Sequence, residues 1–214
     1  MQSGELLEVL GSLSVTQWGL FTAAQAVGAG ALAQDVTRAA DRGLIRRVRH
    51  GVYAMHGGAT GDQLEDVRAE WLATDPARSA WERRQDPAPV VVSDETAAMV
   101  YGIGGLPGGG IHLTAPRRIR PSANTPVIAH VRTLDPKEVT WVDGLPVTSV
   151  RRTLEDLAAK WEPGHLRDAT SDAINAGLLP AGEIGKSPIL LGVVPELVPR
   201  PSTFALLADT PGRF

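Results

Sequence analysis

The sequence contains no cysteine, which excludes thiolate metal sites, cysteine nucleophiles and a disulfide framework. It also lacks a long apolar run, since the longest, Pro188 to Val194, is far too short to cross a bilayer. The N-terminal residues have neither the basic nor the apolar part of a secretory signal. The 214 residues, 43% hydrophobic and 21% charged, suffice for one or two folded domains. We therefore expect a folded cytoplasmic protein that makes no membrane contact.

The chain has no overall excess of positive charge. Its formal net charge is −3, divided as +1 over residues 1–58, −3 over 59–89, +1 over 90–160 and −2 over 161–214. All five arginines of the first segment nevertheless lie between Arg38 and Arg49. Because salt screens charges beyond about 10 Å, a phosphate group responds to such a local cluster rather than to the net charge.

Enzyme signatures are absent or incomplete. The sequence has no Gly-x-Ser-x-Gly elbow and no Asp-x-Asp pair of the kind that a two-metal nucleotidyltransferase needs. Residues 28–33 fit a dinucleotide fingerprint in spacing, but they follow a predicted helix and no acid follows about twenty residues later. Gly185-Lys186-Ser187 resembles the end of a phosphate-binding loop, yet Pro180 stands where that loop needs its first glycine. We predict no catalytic residues and no cofactor.

Two of the five histidines could lie close together. His112 and His130 fall on predicted strands that could be neighbours, so their rings could face each other. The sequence shows no carboxylate pair beside them, and we therefore predict no metal site.

The first 58 residues show the order helix, helix, turn, helix, hairpin. Apolar spacing predicts a short first helix that ends at Gly11 or shortly after. Thr22 and Gln25 have the spacing of a capping box, which predicts a helix over residues 23–27. A third helix is expected over residues 31–42, ended by a left-handed Gly43. Two strands then flank a turn at residues 50–51, as in a winged helix-turn-helix.

This module predicts a DNA-binding surface. A polar helix face that enters the major groove reads base edges, whereas a basic hairpin meets phosphates or the minor groove. We expect about three to five phosphate contacts per protomer and a log–log salt slope of about −3 to −5. Use of the module for protein contact alone stays open as an alternative. The predicted DNA-binding residues are Gln34, Thr37 and Arg38 on the third helix, and Arg46, Arg47, Arg49 and His50 on the hairpin.

The remaining chain predicts an α+β fold. Residues 59–89 are interpreted as a helical connector, in which tryptophans such as Trp71 pack on one side. Residues 90–186 alternate short strands with capped helices, which indicates a mixed α+β domain with a mainly antiparallel sheet. Asp143-Gly144 is a hairpin turn signal, and Ser93 and Ser149 are expected helix caps. Residues 187–214 read as a proline-rich arm.

A basic loop lies between two of these strands. Arg117, Arg118 and Arg120 could contact a partner protein or a nucleic acid, or they could form a solvated turn.

Four segments together resemble the AbiEi family of bacterial antitoxins from type IV toxin-antitoxin modules. They are Gly43 to Tyr53, Val92 to Gly102, Asp143 to Ser149, and Arg152 to Leu157. The resemblance covers roughly residues 15–180. Family members usually carry bulkier and more basic residues on the recognition helix than Ala33, Thr37 and Asp41, so their base contacts do not carry over.

The resemblance implies a protein with two roles. The winged helix would bind inverted repeats in its own promoter and repress it, and the second domain would counteract a nucleotidyltransferase-like toxin from the same operon. Two other functions stay open: a winged-helix regulator whose second domain binds a small effector, and a nuclease that uses the second domain.

Overall fold

The computed structural model describes residues 3–57, 64–105, 109–119 and 126–198. Within these ranges the α-helices are α1 (Ser3–Val15), α2 (Ala23–Gly28), α3 (Ala33–Asp41), α4 (Glu65–Ala73), α5 (Ala80–Arg83), α6 (Asp94–Tyr101), α7 (Val150–Leu157), α8 (Pro163–Asn175) and α9 (Pro188–Val193). The strands are β1 (Leu20–Thr22), β2 (Ile45–Arg49), β3 (Val52–Met55), β4 (Val91–Val92), β5 (Ile111–Ala115), β6 (Val127–Val131), β7 (Val139–Val142) and β8 (Leu145–Thr148). Short 3-10 helices cover Pro136–Glu138, Ala181–Lys186 and Pro195–Leu197.

The N-terminal part has the predicted helix-turn-helix followed by a hairpin. Thr22 accepts from the backbone N–H of Gln25, and the Gln25 side chain accepts from the Thr22 N–H, so the capping box is confirmed. Gly43 ends α3 with a φ of +70°, which is also as predicted. The hairpin of β2 and β3, which we call the wing, gains an unpredicted third strand, since β1 pairs antiparallel with β3.

Helix α1, whose end was expected at Gly11 or shortly after, includes Gly11 and runs to Val15. A glycine inside a helix costs about 1 kcal/mol relative to alanine, and packing of neighbouring side chains can outweigh this cost. Leu6 and Leu10 are buried in one hydrophobic cluster with Phe21, Ala26 and Val36, which supplies that packing.

The second sheet has the strand order β6-β5-β4-β8-β7. The prediction of a mainly antiparallel sheet is wrong, because β5 runs parallel to β6 and β4 parallel to β8, while the other two pairs are antiparallel. Alternating hydrophobicity shows which face a side chain occupies, but it does not show the direction of the neighbouring strand. The α+β class itself is confirmed.

Helix α4 of the predicted connector lies inside the core. Trp71 and Leu72 are fully buried, and they belong to one hydrophobic cluster with Val52 of the wing and Val92 and Val147 of the second sheet. The Trp71 indole N–H donates to the Val90 carbonyl at 2.7 Å. The core is therefore continuous across the predicted boundaries at residues 58 and 89.

The first part of the predicted C-terminal arm is packed rather than extended. Ser187 accepts from the Leu190 N–H at 3.3 Å and Pro188 occupies the first turn, so residues 187–193 have the signals of a helix start. Leu190 and Val194 are fully buried in a second cluster with α7 and α8. The rest of the arm, residues 199–214, lies outside the described residues.

None of the helices in the described ranges is long and apolar enough to span a membrane.

Replacing Gln25 by alanine should lower the free energy of unfolding by about 2 kcal/mol, because the substitution leaves buried donors and acceptors without partners. The Gln25 amide exchanges two hydrogen bonds of 3.0 Å with Gln17 and also donates to the Arg78 carbonyl. Urea denaturation followed by circular dichroism measures the change. Gln34→Ala, on the exposed face of α3, is the control and should change stability by less than about 0.5 kcal/mol.

Candidate nucleic-acid interface

The polar face of α3 is open to solvent. Val36 and Ala39 turn inward and are buried, which leaves Gln34, Thr37 and Arg38 exposed on the opposite side. Arg38 lies 3.3 Å from Asp35, one turn earlier, and its side chain is 60% exposed. An exposed pair of this kind contributes little, so the guanidinium can exchange its partner at small cost.

Two of the predicted wing residues are exposed as well. The Arg47 guanidinium lies 5.4 Å from the centroid of the Tyr53 ring, a cation–π contact that leaves its N–H groups accessible. His50 is exposed at the turn of the wing. Arg42, which directly follows α3, is also exposed and was not predicted. Together with α3 these side chains form one candidate surface, defined by the list Gln34, Thr37, Arg38, Arg42, Arg47 and His50.

The other two wing arginines point toward α4. Alternation along β2 places Arg46 opposite Arg47, and an irregularity between residues 47 and 49 turns Arg49 to the same side as Arg46. Arg46 forms an ion pair with Glu65 and is 42% exposed. Arg49 pairs with Glu70, and these two side chains are only 9% and 4% exposed.

Arg49 is therefore not available for the predicted phosphate contact. Burial lowers the pKa of Arg49, while the carboxylate of Asp66 acts in the opposite direction. Breaking a buried ion pair from one side costs about 3–5 kcal/mol, which exceeds what one phosphate contact returns. A run of arginines on one strand does not reveal this difference, since the acidic partners lie on a helix sixteen or more residues further along.

The predicted basic loop lies beside the wing. Arg117 and Arg118 are exposed, whereas Arg120 lies outside the described residues. Ile119 and His50 line the same cavity of about 370 Å³, so this loop and the tip of the wing are neighbours. The part of the loop that reaches the wing is therefore Ile119, whereas Arg117 acts electrostatically on Arg83 and Asp86.

The second sheet carries a separate polar cluster. The rings of His112 and His130 are stacked with centroids 5.3 Å apart, as their predicted strands allowed. Asp94 and Glu95 of α6 both lie against them, so the expectation that no carboxylate pair is nearby is wrong. Burial lowers the pKa of His112. The sequence placed Asp94 and Glu95 at a helix start, but it gave no sign that this start faces β5 and β6.

A hydrogen bond of Ser93 explains why the start of α6 lies against β5. It occupies the expected cap position before α6, yet its hydroxyl accepts from Thr114 of β5 at 2.8 Å instead of capping the helix. This bond holds the helix start against the strand. Ser149, by contrast, caps α7 as predicted, because its hydroxyl accepts from the Arg152 N–H.

Comparison with known proteins gives a family match over the N-terminal segment. Residues 12–56 match the family model described as "Transcriptional regulator, AbiEi antitoxin", which confirms the resemblance for the helix-turn-helix and the wing. Among solved structures, the chain is similar to the RV2827C protein from Mycobacterium tuberculosis, with 16% identity and a TM-score of 0.45 over 100% of this chain and 84% of that chain. No curated protein matches the chain.

Replacing Glu70 by glutamine should destabilise the protein by about 3–5 kcal/mol, because the buried Arg49 loses its countercharge. Chemical denaturation checks this value. Asp35→Asn breaks the exposed pair with Arg38 and should cost less than about 1 kcal/mol. Equal, small effects of both substitutions would contradict the burial of the Arg49–Glu70 pair.

Proposed function

We propose that this protein is an antitoxin-type transcriptional regulator that binds double-stranded DNA through α3 and the exposed part of the wing. The observation that carries the proposal is the exposed polar face of α3 beside Arg47 and His50, within the segment that matches the regulator family. A helix with a free polar face fits the major groove, which is about 12 Å wide.

Residues of α3 would read the base sequence. Gln34 lies in the first turn and Arg38 one turn later on the same face, an arrangement in which the start of the helix approaches the base edges. Glutamine forms paired hydrogen bonds with adenine and arginine with guanine. Asp35 holds the Arg38 guanidinium only through an exposed pair, so guanine can replace it.

Residues around α3 would meet the phosphates. Arg42, Arg47 and His50 lie at the end of α3 and on the wing, and Arg46 is half-exposed. Because Arg49 is buried in its pair with Glu70, we do not count it among the phosphate-contacting residues. We therefore expect about three phosphate contacts per protomer and a log–log salt slope of about −2.7.

The target and the partner follow from the family resemblance. We propose that the protein binds inverted repeats in its own promoter, with two protomers one or more helical turns apart, and represses transcription in the cytoplasm. The second domain would neutralise a nucleotidyltransferase-like toxin encoded in the same operon, and Arg117 and Arg118 are candidate contacts for it. This role requires binding and not catalysis.

One observation favours the alternative of an effector-binding second domain. A cavity of about 340 Å³ lies between the segment Pro87–Pro89 and Trp141, a size within the range of small-molecule sites. Under this alternative a small molecule would change operator affinity and no toxin would be needed. Gene neighbourhood separates the two, since a nucleotidyltransferase-like reading frame directly downstream supports the antitoxin.

Arg47→Ala should weaken binding to all duplexes alike and make the salt slope shallower by about 0.9, because one phosphate contact is lost. Arg38→Ala should instead weaken operator binding by about 1–3 kcal/mol and leave random DNA nearly unaffected. Footprinting on the upstream region locates the operator, and fluorescence anisotropy at several salt concentrations gives both values. Arg167→Ala, on the exposed face of α8, is the matched control. An unchanged salt slope for Arg47→Ala would exclude Arg47 from the phosphate contacts.

A double variant, Arg38→Ala with Arg47→Ala, should lose repression of a promoter reporter but still rescue growth from the co-expressed neighbouring toxin. The full chain is required, since its core is continuous between the two parts. Loss of rescue in the folded double variant would show that neutralisation depends on DNA binding.

A further inference from the structure

We propose that Asp94, His112 and His130 bind one divalent transition-metal ion of the zinc type. The three residues join the start of α6 to the adjacent strands β5 and β6. The site lies in the second sheet and does not depend on the DNA-binding function.

The ligand atoms have the spacing that a small metal ion requires. His112 Nδ1 lies 3.0 Å from His130 Nε2, and His130 Nε2 lies 3.4 Å from Asp94 Oδ2. All three atoms fall within 4.8 Å of one another. In a tetrahedral site with bonds of about 2.0–2.1 Å, neighbouring ligand atoms are about 3.3 Å apart. The two distances at His130 Nε2 match this value, and the third pair of ligand atoms lies within 4.8 Å.

The two facing ring nitrogens are suited to share a metal ion. In a pair of neutral imidazoles only one of the facing nitrogens carries a hydrogen, and the other offers a lone pair. When a metal ion takes the place of that hydrogen, the ring concerned carries its hydrogen on its outer nitrogen instead, Nε2 of His112 or Nδ1 of His130. Both facing nitrogens are then neutral ligands, and Asp94 Oδ2 supplies a negatively charged third ligand. Nitrogen and carboxylate oxygen ligands are those that zinc accepts when no thiolate is available.

Neighbouring charges orient these ligands. Glu95 Oε2 lies 3.0 Å from His112 Nε2, on the opposite edge of the ring from Nδ1, although the ring N–H is not well aligned with it. A carboxylate in this position is a common outer partner of a zinc-bound histidine. Lys160 contacts the Oδ1 oxygen of Asp94, which leaves Oδ2 facing His130. The carboxylates of Asp94 and Glu95 and the ammonium group of Lys160 together give the cluster a net negative charge before a metal ion binds.

The backbone conformation of Asp94 positions its carboxylate. Asp94 has a φ of +53°, the left-handed region that a residue with a side chain rarely adopts. Such conformations persist where the surrounding structure enforces them, and they cluster at functional sites. Here the conformation directs a buried carboxylate toward the two histidines.

One side of the cluster is accessible. The side chains of Asp94 and His112 are 6% and 7% exposed, whereas that of His130 is 32% exposed. A metal ion can therefore enter beside His130. Three protein ligands leave a fourth position for water, the arrangement that distinguishes an open zinc site from a closed structural one.

The experiment uses the full chain without a polyhistidine tag, stripped with a chelator and titrated with Zn²⁺ by calorimetry. We expect one ion per chain, and we expect Co²⁺ to give the visible absorption of a tetrahedral complex. Glu95→Gln should weaken Zn²⁺ binding by about 10- to 100-fold, because the outer partner of His112 is lost. His130→Ala should abolish stoichiometric binding, whereas His165→Ala, an exposed histidine on α8, should bind as the unchanged protein does.

We choose His130→Ala because the His130 side chain is 32% exposed, so its removal leaves a smaller cavity than removal of the buried His112 would. Circular dichroism verifies that the variant is folded. Absence of Zn²⁺ binding by the unchanged protein overturns the proposal. Equal affinity of a folded His130→Ala variant overturns it as well, since the ion would then lie elsewhere.

Discussion

The arrangement of the molecule depends on the burial of charged side chains on α4. Glu70 neutralises Arg49 of the wing, and Arg68 on the same helix reaches Asp143 of the second sheet at 2.5 Å. A buried charge costs several kcal/mol unless an opposite charge lies beside it, so the buried Arg49, Arg68 and Glu70 side chains require the wing and the second sheet to stay against α4. Trp71 on the same helix is fully buried in the hydrophobic cluster that the wing and the second sheet share.

Because α4 carries the acidic partners, the three arginines of the wing have two different roles. Strand alternation and the irregularity after Arg47 send Arg46 and Arg49 toward α4, and leave Arg47 on the outer face. The same strand thus supplies the attachment to the core and a cation for the proposed DNA surface. Counting arginines in the sequence overestimates the phosphate contacts for this reason.

The sequence predicted what local chemistry determines. The capping box at Thr22, the left-handed Gly43, the wing and the cap at Ser149 all depend on residues within a few positions of one another. Contacts between distant segments were missed, because no local pattern encodes them. The three-residue strand β1, the parallel pairs of the second sheet, the partner of Arg49 and the carboxylates beside His112 all belong to this group.

The contact between Trp18 and the hairpin turn at Asp143 has a consequence for synthesis on the ribosome. The Trp18 indole N–H donates to the Asp143 carbonyl at 2.8 Å, and Leu20 and Val52 share a buried cluster with Leu145 and Val147. About ninety residues separate the end of the wing from β8, which takes about 5–20 s to translate. During that interval the nascent helix-turn-helix carries an uncovered apolar face, so chaperones and proteases have access to it before the second sheet arrives.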